Sequence, residues 1–343
     1  MFLAFNEMKK SKLKYSLIIT MITLLSFLTL FLVFLALGLS SSMSNGIKNI
    51  NSPNFVISQR ANNNLLASKI TKKDISKIND NEKTIVNFQY MTAVDEQNKD
   101  INVALLETSN IEIIPKIIKG KLPQNFNEVV ISKTIKKESN IEIESIIELE
   151  NKKYKVVGFT ISSEYQTSPI IYAMLSPTWN TASFVILSFE NKNINLPKEL
   201  VYKSKNQIIN SIPGYKQQIA TFLLIIIFSI LINSMIISVF IYILTIQKSK
   251  MFGILKAQGI STFYMIKTTF FQTFNIMIIS ILMAFSLIVV CNFILPAKVP
   301  FMLDLKYLLI IIFTLIFSAL LGTSFTFISI YKISALEAIN EEN

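Results

Sequence analysis

The chain predicts a membrane α-helical protein of four spans with one α/β domain inserted between the first and second. Three observations carry this. Apolar runs stand at Leu17–Ser40, Ile219–Ile246, Thr268–Leu295 and Tyr307–Tyr331, and none has Asp, Glu, Lys or Arg between its ends. A run of about 20 such residues is enough to cross the hydrocarbon core. The polar stretch Ser41–Gln218 separates the first run from the other three, so neither a soluble domain nor a pure helix bundle fits a chain that is 51% hydrophobic.

Residues 1–16 form a basic segment ahead of the first span, with Lys9, Lys10, Lys12 and Lys14 against Glu7. The run that follows exceeds the roughly 7–15 apolar residues of a secretory signal, so an uncleaved helix is expected. Residues 247–267, after the second span, carry Lys248, Lys250 and Lys256 with no acid. The positive-inside rule then places both termini and this loop in the cytoplasm, and Ser41–Gln218 and Pro296–Lys306 outside. The tail Lys332–Asn343 falls inside. Much of the net charge of +11 stands beside apolar runs, so it reads as membrane topology, with lipid and not nucleic acid as the partner.

Within Ser41–Gln218, short β-branched runs read as strands: Phe55–Ser58, Thr84–Phe88, Ile101–Leu105, Glu128–Ser132 and Tyr154–Gly158. Ile70–Ile78, with Thr71 as N-cap, and Ser132–Ser139 read as short helices. Cys291, the one cysteine, lies in the third span, so no disulfide closes within the chain, and the absence of histidine removes His-based metal sites and general bases.

The spans have polar stripes: Ser234, Ser238, Tyr242 and Thr245 in the second, Thr268, Gln272, Asn275 and Ser286 in the third, and Ser318-x-x-x-Gly322 in the fourth. They read as helix-packing seams, with a substrate cleft along the second-span stripe as the alternative. Ion-coupled carriers usually need an ionisable group inside the membrane, and the spans have none. No Gly-x-x-x-x-Gly-Lys-Ser/Thr loop is present either. A catalytic role is not expected, and any ATP must be bound by a separate subunit. The loop Met251-Phe252-Gly253-Ile254-Leu255-Lys256-Ala-Gln-Gly259 suits docking to one: Phe252, Ile254 and Leu255 form the apolar knob of a short helix that Gly259 ends.

That loop, opening directly into a span, is similar to the signature of MacB/FtsX-type ABC permeases. So are Lys119-Gly-Lys-Leu-Pro123, Glu128-Val-Val-Ile-Ser132 and Tyr154-Lys-Val-Val-Gly158 in the polar domain, and the closing Tyr331–Ile339. Glu144-Ser145 stands where the family usually has Gly-Asp, Ser334 where Pro is common, and Gln272 near a frequent acid. Ser211-Ile-Pro-Gly-Tyr215, Leu244–Lys248 and Leu295–Phe301 resemble the haem-exporting, HrtB-type branch. The resemblance implies a homodimeric permease working with two copies of an ABC ATP-binding subunit, which couples through Met251–Lys256 and Gly259. It implies mechanotransmission, with haem as transported ligand and no permanently bound cofactor or metal. The alternatives are efflux of peptides, antibiotics or lipids, and FtsX-like regulation of a cell-wall hydrolase.

If haem is the cargo, its iron must use Tyr, Met, Cys or nothing. Met43 after the first span, Tyr215 before the second and Tyr165 in the polar domain are the candidates, with Tyr165 and Tyr215 the preferred pair. Arg60, the one arginine, or a nearby lysine would pair with the propionates.

The lysine distribution makes a direct prediction. Cysteines placed at Asn63 and Asn191 should react with an impermeant reagent in intact cells while one at Ser249 stays silent; the reverse pattern overturns the orientation.

Overall fold

The computed structural model describes residues 11–332 apart from 53, 79, 81, 188–195, 297 and 298. The basic residues before position 11 and the closing motif from position 333 lie outside the described residues. The elements are α1 (Lys12–Lys48), β1 (Asn54–Ser58), β2 (Ile70–Thr71), α2 (Lys72–Ser76), β3 (Thr84–Val94), β4 (Asp100–Thr108), β5 (Ile117–Gly120), β6 (Glu128–Ser132) and α3 (Lys133–Glu138). There follow β7 (Ile146–Leu149), β8 (Lys152–Thr160), β9 (Glu164–Tyr165), β10 (Ser168–Met174), β11 (Thr181–Ala182), β12 (Phe184–Ile186), β13 (Leu200–Ser204) and α4 (Lys205–Asn210). The chain then runs through α5 (Tyr215–Ile246), α6 (Ser249–Ala257), α7 (Thr262–Ile294) and α8 (Leu305–Lys332). Two compact units result. A helical unit takes in α6, α7, α8 and the greater parts of α1 and α5; a sheet unit is Leu37–Ala220 with Pro296–Pro300.

The helical unit contains the four long apolar helices, each long and apolar enough to cross a membrane. In lipid every backbone group must be satisfied within the chain, which an uninterrupted helix does. Tyr15, Ile18 and Ile22 of α1 meet Ile237 and Ile241 of α5, Ile276 and Met277 of α7, and Leu315 and Ala319 of α8 in one core. The polar stripes serve this packing. A Cβ on Gly322 would stand 2.2 Å from Ser238 Oγ and 2.8 Å from the Ser234 carbonyl, so glycine is what allows α5 and α8 to approach. Ser234 Oγ donates to the Ser318 carbonyl at 2.7 Å, and Ser238 and Thr245 bond back to their own helix. The stripe is therefore a seam along Ser234, Ser238 and Thr245, while Tyr242 is exposed. In α7, Thr268 and Gln272 are buried and Ser286 is exposed.

The sheet unit is a mixed sheet ordered β13-β1-β12-β3-β4-β10-β6-β8-β5, with β7 and β9 off that path and a separate β11–β2 pair. Strands β4 and β10 are parallel, as are β6 and β8; the remaining pairings are antiparallel. Central strands are buried on both faces. In β10, Ile170 and Tyr172 enter one core with Phe55, Phe88, Leu106 and Phe184, while Ile171 and Ala173 enter another with Val103, Val129, Ile131 and Ile135. Two buried faces explain a near-continuous apolar run without alternation. The short helices start where their caps stand: Thr71 Oγ1 accepts from the Asp74 amide at 3.3 Å, and Ser132 Oγ from the Thr134 amide at 3.3 Å.

Two sequence motifs prove to be one structural feature. Gly120 and Gly158 are register partners of β5 and β8. A Cβ on Gly120, at φ +87°, would stand 2.3 Å from the Val157 carbonyl oxygen; one on Gly158 would stand 2.6 Å from that of Lys121. Both glycines are needed because the strands cross at backbone contact. Glu144 has φ +79°, a left-handed conformation that favours glycine. Its amide donates to the Val156 carbonyl at 2.8 Å and its carboxylate pairs with Lys155. The backbone thus keeps the turn that glycine would make, and the side chain carries the strain.

Glu144→Gly should relieve about 1 kcal/mol of left-handed strain and raise the thermal midpoint of the detergent-solubilised chain by about 2–4 °C. Gly158→Ala should lower stability by about 1–3 kcal/mol. Calorimetry checks both signs, and an unchanged Gly158→Ala midpoint would overturn the backbone-contact account.

Candidate functional site

Apart from Arg60, the candidate site residues fall into two clusters. The first is α6. Gly259, at φ +86°, ends it, with the Ile260 amide bonded to the Leu255 carbonyl at 3.0 Å and the Gly259 amide to that of Lys256 at 3.0 Å. This is the paired C-terminal closure that a left-handed glycine makes possible. Ser261 then caps α7, accepting the Tyr264 amide at 3.3 Å.

The apolar knob expected on this loop is divided. Phe252 is 3% exposed and packs against Met265 of α7 and Ile330 of α8, with Met251 and Leu255 beside it. Phe252 therefore belongs to the chain's own core, which corrects its expected place on a free docking surface. The reason is helical phase: positions 251, 252 and 255 share the inward face. Ile254 is 41% exposed, and Lys250, Ala257 and Gln258 are exposed with it. Their i, i+4, i+7, i+8 spacing makes one outward stripe. Gly253 is buried, and Lys256 is half-buried with its ammonium on the last turn of α8.

The second cluster lies in the sheet unit, where the last turns of α1 join its core. Met43, Ile47 and Ile50 pack with Tyr165, Tyr172, Ile208, Ile212 and Tyr215. The structure thus brings Met43, Tyr165 and Tyr215 into one cluster, though Met43 and Tyr215 stand 172 positions apart in sequence. A hairpin between β9 and β10 staples the α1 segment. Gln166 and Thr167, both with left-handed φ, donate backbone amides to the Met43 and Ser42 carbonyls, each at 3.1 Å. Asn45 Oδ1 accepts the Glu164 amide, and Asn49 Nδ2 donates to the Ser162 carbonyl at 3.1 Å. A Cβ on Gly46 would stand 2.7 Å from the Glu164 carbonyl oxygen, so this contact too requires glycine. Lys205 Nζ donates to the Lys48 carbonyl at 3.2 Å, closing the helix end.

Electrostatics differ among the candidates. Tyr165 is 1% exposed and edge-on to Phe88 at 5.0 Å; burial, then the neighbouring Tyr90, pushes its phenol well above the ordinary tyrosine range. Burial pushes Tyr90 itself up to about 12. Ser40 Oγ donates to Tyr215 Oη at 3.3 Å, and the Lys48 ammonium stands 5.9 Å from the Tyr215 ring centre. Arg60 is exposed on a short turn after β1 (Gln59–Ala61), outside the core cluster that holds these three. Lys48 is a cation beside Tyr215; sequence offered no signal for it, because the pairing depends on how the end of α1 and Tyr215 meet. Among the described residues no group of three or more His, Cys, Asp and Glu is arranged to hold a metal.

No protein-family model matches the chain. It is 29% identical over 348 residues to a Staphylococcus epidermidis protein named as hemin transport system permease HrtB, covering 98% of each. It is 26% identical over 352 residues to a Staphylococcus haemolyticus protein of that name, again covering 98% of each. Among solved structures, the periplasmic region of MacB from Actinobacillus actinomycetemcomitans aligns at a TM-score of 0.36 and 14% identity, over 48% of this chain and 95% of that one. The likeness to MacB is too slight to carry an argument. The chain is thus similar over nearly its whole length to proteins named as hemin transport system permeases, and its four long apolar helices make it a multi-pass membrane protein.

The helical phase of α6 makes a stability prediction. Phe252→Asp should destabilise the solubilised permease by about 3 kcal/mol or more, since a carboxylate would be desolvated without a partner. Ile254→Asp, on the exposed stripe, should change stability by no more than about 0.5 kcal/mol. Equal midpoints for the two variants would refute the inward placement of Phe252.

Proposed function

We propose that the chain is the permease subunit of an ABC efflux system that exports haem, working as a homodimer with two copies of a separate ATP-binding subunit. The observation that carries this is the end-to-end similarity to HrtB-named relatives, at 29% identity over 98% of both chains. The uncharged spans support it, since without an intramembrane ionisable group the energy source has to be elsewhere. The lysines flanking the spans support an orientation with the α6 loop in the cytoplasm and the sheet unit outside.

In this reading the ATP-binding subunit docks on the exposed stripe of α6, through Ile254 with Lys250 and Gln258 around it. Closure of the ATP-bound subunits moves α1 and α5. Because α1 is one unbroken helix whose last turns are stapled to the β9–β10 hairpin, a displacement of the helix is a displacement of that hairpin. Haem enters as an amphiphile: its ring suits the apolar cluster, its propionates a cation, and its iron a phenol or thioether. Tyr215, Met43 and Tyr165 supply those ligand types in one place, and Lys48 supplies the cation expected of Arg60 or a nearby lysine. Tyr165 is 1% exposed and covered by Phe88, whereas Tyr215 is 7% exposed with Ser40 on its hydroxyl and Lys48 over its ring, so Tyr215 is the better first contact.

Purification with the ATP-binding subunit and titration with haem tests this. The wild-type complex should show a shifted haem absorbance band. Tyr165→Phe/Tyr215→Phe preserves packing and removes both phenolic oxygens; it should lose the shift and cellular haem tolerance while keeping the ATPase bound. Wild-type titration by the double variant would remove the site from this cluster, and no haem binding by the wild type would remove haem as cargo.

A further inference from the structure

Lys248 lies at the junction of α5 and α6, one residue before the short helix begins. Its ammonium is 3.0 Å from Tyr15 Oη on α1 and 3.4 Å from Gln272 Oε1 on α7. It also stands 5.7 Å from the centre of the Tyr15 ring. Gln272 Nε2 in turn donates to Tyr15 Oη, closing the trio. Tyr15 and Gln272 are 3% and 4% exposed. At the other end of α6, Lys256 Nζ donates to the carbonyls of Ile330 and Tyr331 at 3.2 and 3.1 Å, in the last turn of α8. The negative end of a helix dipole favours a cation beside its last turn.

We propose that Lys248 is a positioning residue that locks α6 to α1 and α7, so that with Lys256 holding α8 the short helix acts as a strut driving three spans together. The proposal rests on the reading of α6 as the docking element for the ATP-binding subunit. Three observations single it out from ordinary packing. The two lysines bracket α6 and reach three different helices, while the face carrying Ile254 is left exposed. Apolar contacts such as Phe252 with Met265 and Ile330 are non-directional and permit sliding, whereas hydrogen bonds from a charged donor hold one register. And a buried polar trio is costly unless every member is satisfied, so removing the Lys248 ammonium takes its donor from Gln272 Oε1 and leaves Tyr15 and Gln272 only each other inside the bundle.

The test uses the purified permease–ATPase complex in lipid nanodiscs, with two variants and a docking control. Lys248→Met keeps the aliphatic stem and removes the ammonium; Tyr15→Phe removes only the hydroxyl at its centre. The readouts are ATPase co-purification, ATP hydrolysis, and the ATP-dependent change in amide hydrogen exchange of the α1 segment 42–49. Lys248→Met should retain the ATPase and its hydrolysis yet show an ATP-dependent exchange response reduced about tenfold. Tyr15→Phe should reduce it in the same direction and serves as the folded variant if Lys248→Met does not assemble. A full exchange response in either assembled variant, or loss of docking in Tyr15→Phe, overturns the strut. Ile254→Asp reports separately on the docking reading: release of the ATPase supports it, and normal co-purification overturns it whatever the lysine variants do.

Discussion

Much of this architecture depends on the length of α1. Its 37 residues span about 55 Å at ~1.5 Å per residue, against a hydrocarbon core of ~30 Å. A helix of that length cannot be contained by the membrane unless it tilts steeply, and its last turns are not apolar throughout. Ser40, Ser41, Ser42, Ser44, Asn45 and Lys48 are polar, while Met43 and Ile47 face a soluble-type core. The sheet unit is thus built around a segment of a spanning helix. Gly46 is small enough for the Glu164 backbone to approach, and the left-handed pair Gln166–Thr167 turns its amides onto α1 carbonyls. Positive φ at a β-branched threonine is a strained choice that the surrounding contacts hold in place.

The uncharged interior of the spans has a second consequence. Helices in lipid gain nothing from burying apolar surface against one another, so small residues and short hydroxyl bonds hold them together. Thr29 and Ser229 share a hydrogen bond of 2.7 Å, Asn233 Nδ2 donates to Ser26 Oγ at 3.4 Å, and Gly322 admits Ser234 and Ser238. These contacts are short-range and neutral. The cationic ties fall at the ends of the helices, with Lys248 and Lys256 around α6 and Lys205 on the end of α1, where a lysine stem can lie along apolar surface with its ammonium on helix carbonyls.

Four uninterrupted apolar runs, free of charge, leave the chain no physical option except four helices, and the flanking lysines add an expected orientation. Strand content was legible too, because β-branched runs between turn residues suit few other conformations. Gly259 was expected to end a short helix and does so at positive φ, while the strand-to-strand contact of Gly120 and Gly158 shows only in the structure. What the chain order cannot express is which distant residues meet. The partnership of Gly120 with Gly158, the glycine-like backbone of Glu144, and the gathering of Met43, Tyr165 and Tyr215 all arise from strand register and helix packing. Phe252 shows the same limit on a smaller scale: an apolar residue on a nine-residue helix can face a partner or its own bundle. Only the positions of Met265 and Ile330 decide, because burial is a property of the assembled surfaces and not of the residue.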